Sequence, residues 1–252
     1  MSNPLVTVVI PTFTDFDQMR ESPKKRLTRA IRSVLNQSYP HVEVLVCDDG
    51  TPDYYGEDLV AEAVRAFEKE VEEDSDITIR HLKLEHRGQS FTLNDGFAAA
   101  KGDYVFNLND DDIILHDFLE GAVGILEQEE KKDIGFLYSD YIYTKDWRNF
   151  HPAHPRPEPW DPKRLRQQQI APCIGLVRSR VAKRVKFDED LTHEEDWDWL
   201  LRISKVTTAL YVPELWCFCV YLHPNQKSIR DNTGVQASQN IIRTRIGGGY
   251  YD

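Results

Sequence analysis

The stretch Val6-Thr7-Val8-Val9-Ile10-Pro11-Thr12-Phe13-Thr14 opens with an unbroken run of β-branched residues and breaks at a proline. A strand with one wet face alternates apolar and polar side chains. A run without alternation belongs to a strand covered on both faces, as in a parallel sheet flanked by helices. The residues that follow carry the pattern forward. Ser22-Pro23 reads as an N-cap with proline at the first helical position, and Leu27, Ala30, Ile31, Val34 and Leu35 form one helical stripe. Val42 to Cys47 is a second strand. Leu59, Val60, Ala63, Val64 and Phe67 mark a second helix, which runs into the charged stretch Glu68 to Asp74, a solvated helix end and turn. Ile77 to Leu84 is a third strand, Phe91 to Ala100 a helix closed by Gly102, Tyr104 to Leu108 a fourth strand, and Asp117 to Gln128 another helix. Alternating strands and helices predict an α/β fold with a Rossmann-like, mostly parallel central sheet and right-handed crossovers. Ligands in such sheets bind beyond the carboxyl ends of the strands.

Beyond the fourth helix the pattern breaks. Pro152, Pro155, Pro157, Pro159 and Pro162 exclude regular structure from that stretch. A short strand (Cys173 to Val177), a helix (Glu194 to Ile203) and two strands (Thr208 to Val212 and Trp216 to Leu222) follow. The tail after His223 is polar, carries Gly247-Gly248-Gly249 near its end and reads as mobile. The expected organisation is one continuous domain in two halves, 1–112 and a smaller 113–252.

The chain has 252 residues and a formal charge of -11, from 42 acids against 31 Lys and Arg. Its length suffices for a sizeable core. The acid excess argues against binding nucleic acid or anionic lipid through bulk charge. The longest apolar run, Leu215 to Leu222, is far shorter than the roughly 20 residues a membrane span needs, so no integral membrane segment is expected. The first residues lack a basic region followed by an apolar stretch, so no secretory signal is read and a cytoplasmic location is expected. Cys47, Cys173, Cys217 and Cys219 lack zinc-site spacing and read as buried, reduced thiols.

Three acidic clusters stand at loops after strands or where a helix begins. Asp48-Asp49-Gly50-Thr51-Pro52-Asp53 is, taken alone, a turn. At the carboxyl edge of a parallel sheet it is also where a ligand belongs. Asn109-Asp110-Asp111-Asp112 places three carboxylates side by side, which raise one another's pKa unless a cation compensates. A helix cap needs one Asp, not three, so hard oxygen donors for Mg²⁺ or Mn²⁺ are the favoured reading. Glu194-Glu195-Asp196-Trp197-Asp198 supports two readings equally, an acidic first helical turn and a general base for a hydroxyl.

These clusters, in this order, resemble glycosyltransferase family 2, the inverting nucleotide-sugar-dependent enzymes with a GT-A fold. Val8 to Thr14 is similar to that family's first strand and nucleotide loop. Asp48 to Asp53 is similar to its Asp-Asp-Gly-Ser turn. Asn94-Asp95-Gly96 through Asp112 resembles the run into its Asp-x-Asp metal motif, and Glu195-Asp196-Trp197-Asp198 through Arg202 its Glu-Asp catalytic helix. Ala171-Pro172-Cys173 is similar to a small spore-coat polysaccharide member. The resemblance implies that Pro11, Thr12 and Phe13 line the nucleotide pocket, with Phe13 stacking on the base where a Tyr is usual. It implies that Asp49 accepts a hydrogen bond from the base, that Asp110 contacts the ribose or the metal site, that Asp111 is the main ligand of Mn²⁺ or Mg²⁺, and that Asp196 is the catalytic base. Asn109 departs from the motif by replacing its first Asp.

Arg87, after the third strand, reads either as a partner for phosphate or base or as an exposed loop arginine. His223, after the last strand, stands where some family members place a metal- or phosphate-binding histidine; a lone surface His is the alternative. The resemblance implies a nucleotide diphosphate sugar as donor, UDP-linked in the favoured reading, and a carbohydrate or other hydroxyl as acceptor, with 1–112 the nucleotide-sugar-binding half and 113–252 the acceptor-binding half that carries the catalytic base; a homo-oligomer is left open. Two alternatives stand beside this reading. One is a catalytically silent nucleotide-sugar-binding module. The other is a sugar nucleotidyltransferase, which would want a glycine-rich basic loop where Pro11 to Asp15 stands.

Overall fold

The computed structural model describes residues 3–14, 22–71, 75–223 and 231–252. Strand and helix alternate through the first half: β1 (Val6–Thr12), α1 (Pro23–Leu35), β2 (Val42–Asp48), α2 (Leu59–Glu68), β3 (Ile77–Lys83), α3 (Gln89–Ala99), β4 (Tyr104–Asn107), β5 (Ile113–Ile114) and α4 (Phe118–Leu126). The second half contributes β6 (Ile134–Ser139), β7 (Ile142–Thr144), β8 (Phe150–Pro152), α5 (Pro162–Leu165), β9 (Leu176–Arg178), α6 (Ser179–Ala182), α7 (Glu195–Ile203), β10 (Thr208–Val212), β11 (Phe218–Tyr221) and α8 (Asn232–Gly247).

Seven strands form the main sheet in the order β10-β6-β9-β4-β1-β2-β3. All neighbours pair in parallel except β9, which runs antiparallel to both β4 and β6. The mostly parallel α/β sheet expected from the alternation is therefore present. A smaller sheet, β5-β11-β7-β8, stands beside it.

The two-faced burial of β1 follows from its neighbours. Val6, Val8 and Ile10 meet the stripe of α1 and the apolar faces of α2 and α4. Val9 points the other way, into a core built with Leu93 and Phe97 of α3, Trp199 and Leu200 of α7 and Ile242 of α8. Full burial of one such side chain is worth roughly 1.5–3 kcal/mol. Gly96 is what lets α3 lie so close: a Cβ there would stand 2.6 Å from Val9 Cγ1 and 2.9 Å from Cys47 Sγ.

Three expectations are corrected. The tail is not without structure: α8 spans Asn232–Gly247, buries Ile242, and is followed by the buried Tyr251. Residues 224–230 lie outside the described residues. The proline-rich stretch does carry short regular pieces at its ends, since Phe150–Pro152 pairs with β7 at a sheet edge and Pro162 starts α5, where a missing N–H costs nothing. Finally, α3 starts at Gln89, two residues before the expected Phe91.

Candidate active site

The carboxyl ends of β1, β2 and β4, with the loop after β3, open on one edge of the sheet, and the start of α7 faces them. Between them lies a cleft of about 1200 Å³. Pro11, Thr12, Phe13, Asp49, Arg87, Asp110, Asp111, Asp196 and His223 all line it. Every site residue expected from the sequence is thus brought to one cavity, although the chain separates them widely.

At one end, Asp49 is almost fully buried and ties two loops together. Its Oδ1 accepts the backbone N–H of Arg87 at 2.9 Å and its Oδ2 that of Gly88 at 2.9 Å. His86 Nδ1 lies 2.9 Å from the same Oδ2, which suits the tautomer carrying its proton on Nδ1. Gly88 makes this possible, because its φ of 102° is open only to glycine without strain. The His86 ring stacks on Phe13, with centroids 4.0 Å apart and planes 15° from parallel. Phe13 itself remains 36% exposed. Arg87 donates to Asp95 at 2.5 Å and lies over the ring of Phe91.

The three adjacent aspartates diverge. Asp110 turns towards β1 and α1: its Oδ2 accepts Thr12 Oγ1 at 2.6 Å and Arg26 Nη2 at 3.2 Å. Burial, reinforced by the charge of Asp111 and opposed by Arg26, pushes its pKa up to about 6. Asp112 turns into the fold. It accepts the Tyr221 N–H and the Asn109 side-chain amide, each at 3.0 Å, and burial then the charge of Asp111 raise its pKa well above the carboxylate range. Asn109 therefore has a local reason to be an amide, since a carboxylate there would face the carboxylate of Asp112. Asp111 alone meets His223, whose Nε2 is 2.9 Å from Asp111 Oδ2.

A carboxylate and an imidazole at this separation supply two donors to a cation. No cluster of three or more His, Cys, Asp or Glu side chains suited to a metal is found among the described residues. Mg²⁺ and Mn²⁺ commonly take one or two protein ligands and complete their shell with substrate phosphates and water, so the pair fits such an ion. The nitrogen donor suits Mn²⁺ better than Mg²⁺.

Across the cleft, α7 presents Glu195 and Asp196 in its first turn, where the helix dipole favours acids. Asp196 Oδ2 accepts Gln169 Nε2 at 2.7 Å, and its Oδ1 accepts the N–H of Trp197 at 2.8 Å. Glu194 ends the preceding loop with φ 57°, a left-handed conformation; burial, then the charge of Asp196, raises its pKa. Asp198 points away from the cleft and is fully buried. It binds Arg202 at 2.5 Å and Arg245 of α8 at 3.0 Å, and it accepts the Tyr251 hydroxyl. Of this acidic cluster, one part faces the cavity and another anchors the last helix.

Sequence reasoning missed Arg26, His86 and Gln169. Arg26 carried a usable signal, since the first turn of the helix after β1 has to start near that strand's carboxyl end. His86 and Gln169 act through partners distant in sequence, and no local pattern marks them.

The description Glycosyl transferase family 2 fits residues 7–197, where its family model matches. An uncharacterised glycosyltransferase of Methanocaldococcus jannaschii is 26% identical over 209 residues, covering 80% of this chain and 65% of the relative. Chondroitin synthase of Escherichia coli is 22% identical over 240 residues, 90% of this chain and 30% of the relative. The chain thus spans about two thirds or less of these relatives. Among solved structures, S. aureus TarS 1-349 in complex with UDP-GlcNAc aligns with a TM-score of 0.71 at 15% identity, covering 96% of this chain and 66% of that one. The mannosyltransferase PcManGT from Pyrobaculum calidifontis, in complex with GDP-Man and Mn²⁺, aligns with a TM-score of 0.61 at 17% identity, covering 97% and 69%. At these identities the structural likeness is one of fold.

Proposed function

The chain belongs to glycosyltransferase family 2 and has the GT-A fold expected of it, and we propose that it moves a sugar from a nucleotide diphosphate sugar to an acceptor hydroxyl, with inversion at the anomeric carbon. The observation that carries this reading is the arrangement in one cleft of the Asp111–His223 pair, the Phe13–His86 stack over Asp49, and Asp196 on the facing helix.

In this reading the base of the donor stacks at Phe13, next to the loop that Asp49 holds. Thr12 and Pro11 line the nucleoside end. The diphosphate lies between Arg26, Lys25 and the Asp111–His223 pair, which answers how so acidic a chain receives an anion. A divalent ion held by Asp111 and His223 would neutralise the charge that develops on the leaving diphosphate. Asp196 takes the proton of the acceptor hydroxyl as that oxygen attacks from the face opposite the leaving group. A single displacement needs only one carboxylate base. Gln169 holds that carboxylate in one orientation while leaving it lone pairs towards the cleft.

UDP is the favoured nucleotide and Mn²⁺ the favoured ion. Two of the solved structures of this fold hold UDP-GlcNAc, and GDP-Man with Mn²⁺, so both nucleotides belong in the test. Purified protein is incubated with UDP- and GDP-sugars, with Mn²⁺ and with EDTA, and release of nucleoside diphosphate is followed. Slow, metal-dependent hydrolysis of one donor supports the enzyme. Tight metal-dependent binding without any turnover, in the presence of hydroxyl acceptors, would instead mark a silent binding module.

A further inference from the structure

Asn107 is the last residue of β4. Side chains alternate along that strand. Tyr104 and Phe106 enter the core shared with α1, α2 and α4, whereas Val105 enters the opposite core, shared with α3 and α7. Asn107 follows Val105 and so takes a place on that second, apolar face. It is only 3% exposed, yet its carboxamide oxygen has no hydrogen-bond partner among the described residues. Its amide nitrogen points at Cys173 Sγ, 4.0 Å away, a weak acceptor. A valine or leucine at this position would avoid an unpaired buried acceptor, so the amide needs a reason beyond packing.

The surroundings supply one. Asn107 and Cys173 both line the cleft. Asn107 belongs to the segment that leads into Asp110 and Asp111. Cys173 lies close enough to Asp196 and Glu195 for their charges to add to burial in raising its thiol pKa. The two residues therefore form floor between the diphosphate end of the cleft and the general base, which is where a transferred sugar ring has to sit.

We propose that Asn107 reads the sugar of the donor: its carboxamide oxygen accepts a hydrogen bond from a hydroxyl or amide N–H of the transferred ring. This rests on the donor reading above and adds the residue that separates a sugar nucleotide from the bare nucleotide. A buried group built to pair with a substrate O–H or N–H rejects ligands that lack it, because it is then left unsatisfied.

The test is calorimetric titration of wild type, Asn107→Leu and Asn107→Ala with UDP, GDP, UDP-GlcNAc, UDP-glucose and GDP-mannose, each with Mn²⁺, alongside thermal melts. Wild type is expected to bind one sugar nucleotide more tightly than its matching diphosphate. Asn107→Leu is expected to keep diphosphate affinity, to melt at or above the wild-type temperature, and to bind that sugar nucleotide about tenfold more weakly or worse. Asn107→Ala adds no bulk and gives the same affinity reading if leucine overpacks. Unchanged sugar-nucleotide affinity in the alanine variant overturns the proposal, as does parallel loss of diphosphate and sugar nucleotide. Equal binding of both by wild type also overturns it and leaves the donor reading standing. Binding of none of the five by wild type overturns the donor reading, and this proposal with it.

Discussion

His223 Nε2 lies 2.9 Å from Asp111 Oδ2 although the two residues are 112 positions apart. The contact joins the turn after β4 to the residues just past β11, next to the bond that the Tyr221 N–H donates to Asp112. If that pair holds the ion, Asp111→Ala and His223→Ala should each abolish the Mn²⁺-dependent part of nucleotide affinity. Titration with UDP in Mn²⁺ and in EDTA checks this; wild-type affinity that is identical in both solutions would sink the metal assignment.

Asp196→Asn should keep nucleotide and metal binding and lower turnover by about 10²–10⁴-fold, the usual contribution of a positioned general base. The amide keeps the shape that Gln169 contacts but cannot take a proton. Steady-state rates beside calorimetry separate the two effects, and an unchanged rate removes Asp196 from the mechanism.

Asp49→Ala should loosen the His86–Gly88 loop by removing the acceptor of two backbone N–H groups and an imidazole. Leaving such donors unpaired costs about 1–3 kcal/mol. Faster hydrogen exchange confined to that loop, with weaker UDP binding, is the expected result.

The first half of the fold was legible because its signals are local. Val6 to Ile10 could be read as a doubly covered strand from its own composition, and Leu27 to Leu35 as a helix from its own spacing. The acids at Asp111 and Asp196 were legible as motifs. The last helix was not. Its polar, glycine-containing sequence offers little apolar stripe, and it is held instead by Ile242 in the core and by Arg245 against Asp198 and Asp188. β6 was likewise missed: Ile134 to Ser139 is short, starts Ile-Gly, and is made a strand by β9 and β10 on either side. The stack of His86 on Phe13 joins two loops that only the folded sheet brings together.

Asp198→Asn should destabilise the protein by about 3–5 kcal/mol, the range for breaking one partner of a buried ion pair. The loss falls on the contact between α7 and α8, so limited proteolysis should cut α8 first. Protection of α8 equal to wild type would contradict the anchoring role.

Glu43 gives a pH-dependent test. It is 1% exposed, accepts from Thr7, Arg80 and the Lys101 N–H, and these bonds outweigh the opposing effect of burial to lower its pKa from the usual 4.5. A carboxylate with a depressed folded pKa contributes stability above its ordinary pKa and loses it as pH falls through the folded value. Glu43→Gln should therefore melt below wild type at pH 7, and the gap should close below about pH 4.5. A gap that stays constant down to pH 3 would refute the charge-based account.

The antiparallel β9 has a consequence for how the chain is made. It is the strip that seals β4 to β6, yet it begins only at Leu176, long after β4 ends at Asn107. Until it leaves the ribosome, the flank of Tyr104-Val105-Phe106 is an open apolar edge, the kind of template on which nascent chains stick to one another. Leu176–Arg178 is thus a clasp as well as a strand: three residues whose arrival closes that edge.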